Sequence, residues 1–184
     1  MKIVALGASN SRQSINKKFA TYAAGLTGSS SLSILDLNDF EVPLFGVDRE
    51  KEEGIPQKAY DFKKALNEAD GIIISFAEHN GAYSAVFKNI FDWISRIEKN
   101  VWHDKPMLLL ATSPGGRGGR TVLDIAVTKF GFMNKNVISS FSLPLFNANY
   151  SDKDGITEPQ LNSDFQAALK SFTTSVEVST AIIE

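Results

Sequence analysis

Short unbroken apolar runs alternate along this chain with longer stretches whose apolar residues recur at helical spacing. Ile3-Val-Ala-Leu6 reads as a buried strand, and Ser14 to Leu26 as a helix with Ile15, Phe19, Tyr22 and Ala23 near one face. Gly28 stands where that helix should stop. Leu32 to Leu37 reads as a second strand. A charged excursion with Pro43, Gly46 and Gly54 then runs from Asn38 to Pro56 as a loop. Gln57 to Ala69 is helical, with Tyr60, Phe62, Ala65 and Leu66 as inward positions. Gly71-Ile-Ile-Ile-Ser-Phe76 is the most apolar strand, of the kind covered on both faces in a parallel sheet. Tyr83 to Ile97 is a helix, Met107 to Thr112 a fourth strand and Val137 to Leu143 a fifth. Between the last two, a helix runs from the glycine-rich turn through Phe130. Thr157-Glu-Pro159 starts the last helix, with proline at an early position that tolerates it.

Five strands alternating with helices imply βαβ units and a parallel sheet with right-handed crossovers. The expected fold is α/β, a three-layer sandwich around a five-stranded parallel sheet in the order 2-1-3-4-5. That order puts a ligand at the carboxyl ends of strands one and three. No internal repeat or flexible linker divides the chain, so one domain is expected over residues 1–184. Trp93 and Trp102 are more aromatic surface than a monomer core needs, which points to a contact with a second copy around the Trp93 helix.

Composition narrows the chemistry. The 184 residues contain no cysteine, which excludes thiolate catalysis, disulfides and thiolate-bound clusters. Only two histidines occur, His79 and His103, so a His-built metal site is not expected. Nineteen basic against 21 acidic residues leave a net charge of -2, with no field to hold nucleic acid or an anionic membrane. No apolar run is long enough to span a bilayer and no export signal is evident, so the cytoplasm is the expected location.

Three strand-to-helix turns carry the candidate chemistry. The first, Gly7-Ala-Ser-Asn-Ser-Arg-Gln-Ser-Ile-Asn16, gathers Ser9, Ser11, Arg12, Ser14 and Asn16 before a helix N-terminus. Free N–H groups and the helix dipole attract an anion there, so the turn reads as a phosphate cradle. It has neither the Walker lysine pattern nor G-x-G-x-x-G. Capping alone needs one such residue. The second, Ala77-Glu-His-Asn-Gly-Ala-Tyr83, follows the most apolar strand; Asn80-Gly81 is a turn signal that exposes backbone amides to a flat heterocycle. His79 borders that ring or is a bystander, and Glu78 lines it or is a solvated carboxylate. The third, Thr112-Ser-Pro-Gly-Gly-Arg-Gly-Gly119, places four glycines around Arg117 and lets the backbone approach a ligand closely. Arg117 is either solvated or a binder of substrate anions.

Together these turns resemble the NADPH-dependent FMN reductase family, which includes quinone and chromate reductases with a flavodoxin-like fold. The resemblance rests on Glu78-x-Asn-Gly81 with Lys88-Asn89-x-x-Asp92-Trp93, on Ser113-Pro-Gly-Gly-Arg-Gly-Gly119, and on Ser9, Ser14 and Asn16 in the first loop, with Phe146-Asn147 after the fifth strand. It implies that Ser9, Ser14 and Asn16 hold the FMN phosphate, with Ser11 or Arg12 as a further contact. It further implies that Glu78, His79, Asn80 and Gly81 line the ring and that Ser113, Pro114, Gly115 and Gly116 approach its other edge. Ala77 and His79 stand where the family usually has Pro and Tyr. The implied activity is two-electron transfer from NAD(P)H through bound FMN to a small acceptor such as a quinone, azo compound or free flavin, in a homodimer or homotetramer. A flavodoxin-type one-electron carrier is the alternative.

Overall fold

The computed structural model describes residues 1–181. Strand β1 (Lys2–Ala8) leads into helix α1 (Ile15–Gly25), followed by β2 (Ser31–Leu35). The excursion after β2 is more ordered than a loop. A 3-10 turn spans Leu37–Phe40 and a two-turn helix α2 spans Val47–Glu53. Next come α3 (Gln57–Asn67), β3 (Gly71–Phe76), a small hairpin of β4 (Glu78–His79) and β5 (Ala82–Tyr83), and α4 (Ala85–Ile97). Then follow β6 (Met107–Thr112), α5 (Arg120–Met133), β7 (Ile138–Leu143), the single turn α6 (Phe146–Asn149), a second hairpin of β8 (Tyr150–Ser151) and β9 (Gly155–Ile156), and α7 (Pro159–Ala181). The last three residues of the chain lie outside the described residues.

The main sheet has five parallel strands in the order β2-β1-β3-β6-β7, the expected 2-1-3-4-5 pattern counted along the sheet strands. One apolar layer packs α3, α4 and α5 against one face. Another packs α1 and α7 against the other. β3 and β6 lie inside the sheet, and all six residues of each are buried, as their unbroken apolar runs require.

Two inward assignments change. On α3 the buried stripe is Ala59, Phe62, Lys63 and Leu66, and Tyr60 is 43% exposed. These four positions share one helical face, and Tyr60 lies off it. Lys63 can be buried because its Nζ donates to the carbonyl of Val101 at 2.6 Å and pairs with Glu98 at 3.3 Å. Burial pushes its pKa down.

The proposed Trp93 contact surface is also overturned. Trp93 is fully buried, donates through Nε1 to the Pro43 carbonyl at 2.8 Å and meets Phe45 edge-on at 5.1 Å. Trp102 is 1% exposed and packs on Phe130 at 4.6 Å. The excursion after β2 folds back over Trp93, and Phe91 and Phe130 flank Trp102, so the chain covers its own tryptophans.

Candidate functional site

The carboxyl ends of β1, β3 and β6 lie side by side, and the three turns meet there. A crevice of about 320 Å³ is lined by Ser9, Ser11, Gln13, Ser14, Ile15 and Asn16 from the first turn. Ala77, Glu78 and His79 come from the second, and Thr112, Ser113 and Pro114 from the third. Asn80 and Gly81 stand at the hairpin tip, and Gly115, Gly116 and Arg117 beyond the crevice wall, outside this lining. The structure also separates Ser11 from Arg12: Ser11 lines the crevice, and Arg12 faces the neighbouring groove.

The first turn is tight because Gly7 lets β1 approach α1. A Cβ at Gly7 would lie 2.4 Å from the Lys17 nitrogen, closer than any real contact. Ser14 is the N-cap of α1, its Oγ accepting from the Lys17 N–H at 3.1 Å. Ser9 Oγ accepts from the Ser11 N–H at 3.1 Å. Both serines are nearly buried, yet neither hydroxyl donates to an acceptor among the described residues. The Ile15 and Asn16 N–H groups, orphans of the first helical turn, also have no protein partner there. Two hydroxyls and two amides with spare hydrogens therefore belong to residues that line one crevice, next to the positive end of a helix dipole. That donor set fits a phosphate.

The Asn16 side chain plays a different part from the phosphate ligand implied by the resemblance. It is 3% exposed, and its amide is engaged inside the protein. Oδ1 accepts from Ser75 Oγ at 2.7 Å and from the Thr112 N–H at 3.1 Å, and Nδ2 donates to the Thr112 carbonyl at 3.1 Å. Asn16 thus fastens the start of α1 to the ends of β3 and β6. Its side chain shapes the first turn, and its backbone N–H is left without a partner among the described residues.

The second turn is a two-residue hairpin with Asn80 at φ 52 and Gly81 at φ 74, the type I′ conformation that Asn-Gly favours. The Asn80 and Gly81 N–H groups have no partner among the described residues. Two contacts, one buried and one half-buried, anchor this hairpin. Ser84 Oγ donates to the Ala8 carbonyl at 2.7 Å, tying it to β1. Glu78 accepts from the Val122 N–H at 3.0 Å. The N-cap of α5 is Gly119, which has no side chain to offer, so the hairpin carboxylate caps that helix from outside. Glu78 is neither freely solvated nor aimed solely at a ligand. His79 is exposed and makes no side-chain hydrogen bond among the described residues. Tyr83 sits between Phe76 and Phe87, and burial pushes its phenol up to about 12.

In the third turn the four glycines divide into two pairs. Gly118 and Gly119 have φ of 59 and 73, and a Cβ on Gly118 would stand 2.6 Å from Ser142 Oγ. The fold itself requires this pair. A Cβ at Gly116 would meet nothing within 4 Å, and one at Gly115 only Ser113 Oγ at 3.8 Å. Packing gives no reason for the second pair. The turn is held to the end of β7 by bonds from Leu145 N–H to the Gly115 carbonyl and from Phe146 N–H to the Ser113 carbonyl, both 3.0 Å. Arg117 is exposed and donates to Thr121 Oγ1 at 3.1 Å.

Sequence reading placed Gly7 and Thr112 in their turns without a role for either, and missed Ser75 and Ser84. Of those two, Ser75 left a signal, as the one polar residue inside an otherwise apolar central strand. Among the described residues no group of three or more His, Asp or Glu side chains could hold a metal ion.

Residues 1–149 match the family described as NADPH-dependent FMN reductase. An NADPH:quinone oxidoreductase of Arabidopsis thaliana is 33% identical over 123 residues, 66% of this chain and 62% of that one. A 2-hydroxy-1,4-benzoquinone reductase of Burkholderia sp is 34% identical over 120 residues, 64% of this chain and 63% of that one. The match therefore spans less than two thirds of either relative. Among solved structures, the flavoenzyme NAD(P)H:(acceptor) oxidoreductase FerB from Paracoccus denitrificans superposes with a TM-score of 0.74 at 20% identity, covering 97% of this chain and 99% of that one. An NADH:FMN oxidoreductase gives 0.71 at 22% identity, covering 95% and 89%. At those identities the superpositions establish the flavodoxin-like fold. With a cradle of spare donors at the end of β1 and a family match over four fifths of its length, this chain belongs to the NADPH-dependent FMN reductase family.

Proposed function

We propose that the chain is one FMN-binding unit that moves two electrons from NAD(P)H to a small acceptor of the quinone, azo or flavin type. The observation that carries this reading is the cluster of unused donors, Ser9 and Ser14 hydroxyls with Ile15 and Asn16 amides, at the switch point of the sheet. These groups hold the phosphate, with Ser11 at the crevice wall. Asn80 and Gly81 offer backbone N–H groups to the ring, with Glu78 and His79 at its border. Ser113, Pro114, Gly115 and Gly116 form the opposite edge, open enough for close approach. Bound FMN supplies the redox chemistry that no side chain of this cysteine-free protein has.

The protein's share is placement and electrostatics. Amides held in fixed positions stabilise negative charge without reorganising. Asn16, Ser84 and Glu78 keep the three turns in register. No side chain is assigned as a catalytic acid or base. Arg117, at the rim, attracts an anionic substrate. A net charge of -2 favours small-molecule partners over nucleic acid, and no helix among the described residues is long and apolar enough to cross a membrane. We place the protein in the cytoplasm as a homodimer or homotetramer, joined through a surface other than Trp93.

The test is an absorbance titration. FMN added to the purified protein should give bound-flavin bands that bleach on anaerobic NADPH and return on adding benzoquinone. A protein that stays colourless refutes the reading. One that binds FMN but is not reduced by NADPH or NADH supports the one-electron carrier instead.

A further inference from the structure

A second recess adjoins the crevice and is unused by the function just described. It has a volume of about 590 Å³ and runs along the outer face of α1 from Arg12 past Lys18 and Tyr22 to Leu26, with Tyr150 and Asp152 as its far wall. Gln13 and Ser14 line both cavities, so the groove and the crevice are contiguous across the first turn. Its volume is in the range of cofactor and small-ligand sites.

The two ends of the groove differ in chemistry. Next to the crevice it is cationic. Arg12 is exposed and has no ion pair or side-chain hydrogen bond among the described residues. Among the described residues Lys18 pairs only with Asp152, at 3.3 Å, with side chains 53% and 75% exposed. Pairs this exposed hold little energy, so an incoming anion can take Lys18 at small cost. Lys17, behind it, is already paired with Asp36. The far end is apolar and firm. Tyr22 meets Tyr150 edge-on at 5.4 Å, stacks on Phe165 at 5.6 Å and covers Gly155, where a Cβ would lie 2.3 Å from its hydroxyl. Leu26 is 46% exposed beside it. A ligand with phosphate at one end and a flat ring at the other matches both.

We propose that this groove takes the adenosine 2′-phosphate portion of NADPH, with Arg12 and Lys18 on its phosphates and the adenine against the Tyr22–Tyr150 wall. The inference rests on the NAD(P)H oxidoreductase reading and names the coenzyme and the residues that select it. NADH, which lacks the 2′-phosphate, leaves Lys18 unused.

The experiment titrates the FMN-loaded protein with adenosine 2′,5′-bisphosphate and with 5′-AMP by calorimetry, and measures kcat/KM for both coenzymes. The bisphosphate should bind at least tenfold more tightly than 5′-AMP and compete with NADPH. Lys18→Ala should lower bisphosphate affinity and the NADPH-over-NADH preference about tenfold, ~1.4 kcal/mol. Asp152→Asn, which releases Lys18, should raise both. Equal affinities for the two probes, equal losses with the two coenzymes, or Lys18 and Asp152 variants shifting in the same direction would overturn the proposal. So would bisphosphate binding without competition, which would mark a site for a free nucleotide. A protein that takes no FMN fails the oxidoreductase reading first, at the absorbance titration, so the two failures are told apart.

Discussion

Replacing Asn16 separates a frame residue from a ligand residue. The side chain makes three buried hydrogen bonds, to Ser75 Oγ at 2.7 Å and to the N–H and carbonyl of Thr112 at 3.1 Å each. At about 1 kcal/mol net apiece, with Thr112 itself 1% exposed and left without this donor and acceptor, Asn16→Ala should cost about 3 kcal/mol. In a domain of this size that corresponds to a melting shift of roughly 6–12 °C. The measurement belongs on flavin-free protein, because a ligand that binds only the folded state adds its own stabilisation. Ser14→Ala is the contrast. It removes an N-cap worth about 1 kcal/mol and also a hydroxyl with no other acceptor, so it should lose less stability than Asn16→Ala while directly weakening FMN binding.

A double-mutant cycle with Ser75→Ala sharpens the test. Asn16 and Ser75 share one bond, so the two losses should fall short of additivity by about 1 kcal/mol. An Asn16→Ala protein that melts like the wild type in the absence of flavin, yet no longer binds FMN, would refute the reasoning. Asn16 would then be a phosphate ligand first.

Two further predictions concern the other turns. Gly118→Ala combines a left-handed φ with a Cβ 2.6 Å from Ser142 Oγ and 2.8 Å from the Pro144 nitrogen, and should cost more than about 2 kcal/mol in thermal unfolding. Gly116→Ala should melt within about 0.5 kcal/mol of wild type and still weaken FMN binding; a reversed order would show that the pairs are misassigned. The Tyr83 hydroxyl is buried without a partner among the described residues, so Tyr83→Phe should stabilise the neutral-pH protein by about 1 kcal/mol. Burial holds that phenol near 12 when folded, against about 10 unfolded, so its contribution is complete below pH 10 and is lost as pH rises toward 12. Urea midpoints at pH 9 and pH 11 should show a smaller decline for the variant, and destabilisation at neutral pH would contradict it.

The sheet and its order were legible because five apolar runs of strand length alternate with helical patterns, and because the runs that became β3 and β6 had no polar face to expose. The excursion after β2 was harder. Its short helix α2 buries no residue, and no apolar period can announce a helix without a buried face. The tryptophans misled for a related reason. Counting aromatics does not reveal that Pro43 and Phe45, fifty residues away, fold over Trp93. In the site, residue types located all three turns, yet they could not divide the work within each turn. That division depends on long-range partners such as Val122 for Glu78, Ala8 for Ser84 and Thr112 for Asn16.

Those partners also explain why the first turn holds more serine and asparagine than capping requires. A phosphate site at a helix N-terminus needs donors left unpaired, and unpaired polar groups near a core are costly. On the proposed FMN-binding reading, the chain meets both demands by giving neighbouring residues opposite tasks. Asn16 spends its side chain on Ser75 and Thr112 and keeps its backbone N–H free, whereas Ser9 and Ser14 accept local N–H groups and keep their hydroxyl hydrogens free. Glu78 does for α5 what Gly119 cannot, so the hairpin is bonded to the helix that follows the glycine turn. A frame built this way is preorganised before any ligand arrives. The positions where a side chain meets neither tight packing nor a hydrogen bond among the described residues, His79 on the hairpin and Gly115 and Gly116 in the turn, are then the ones where substrate preference can change without loosening the frame.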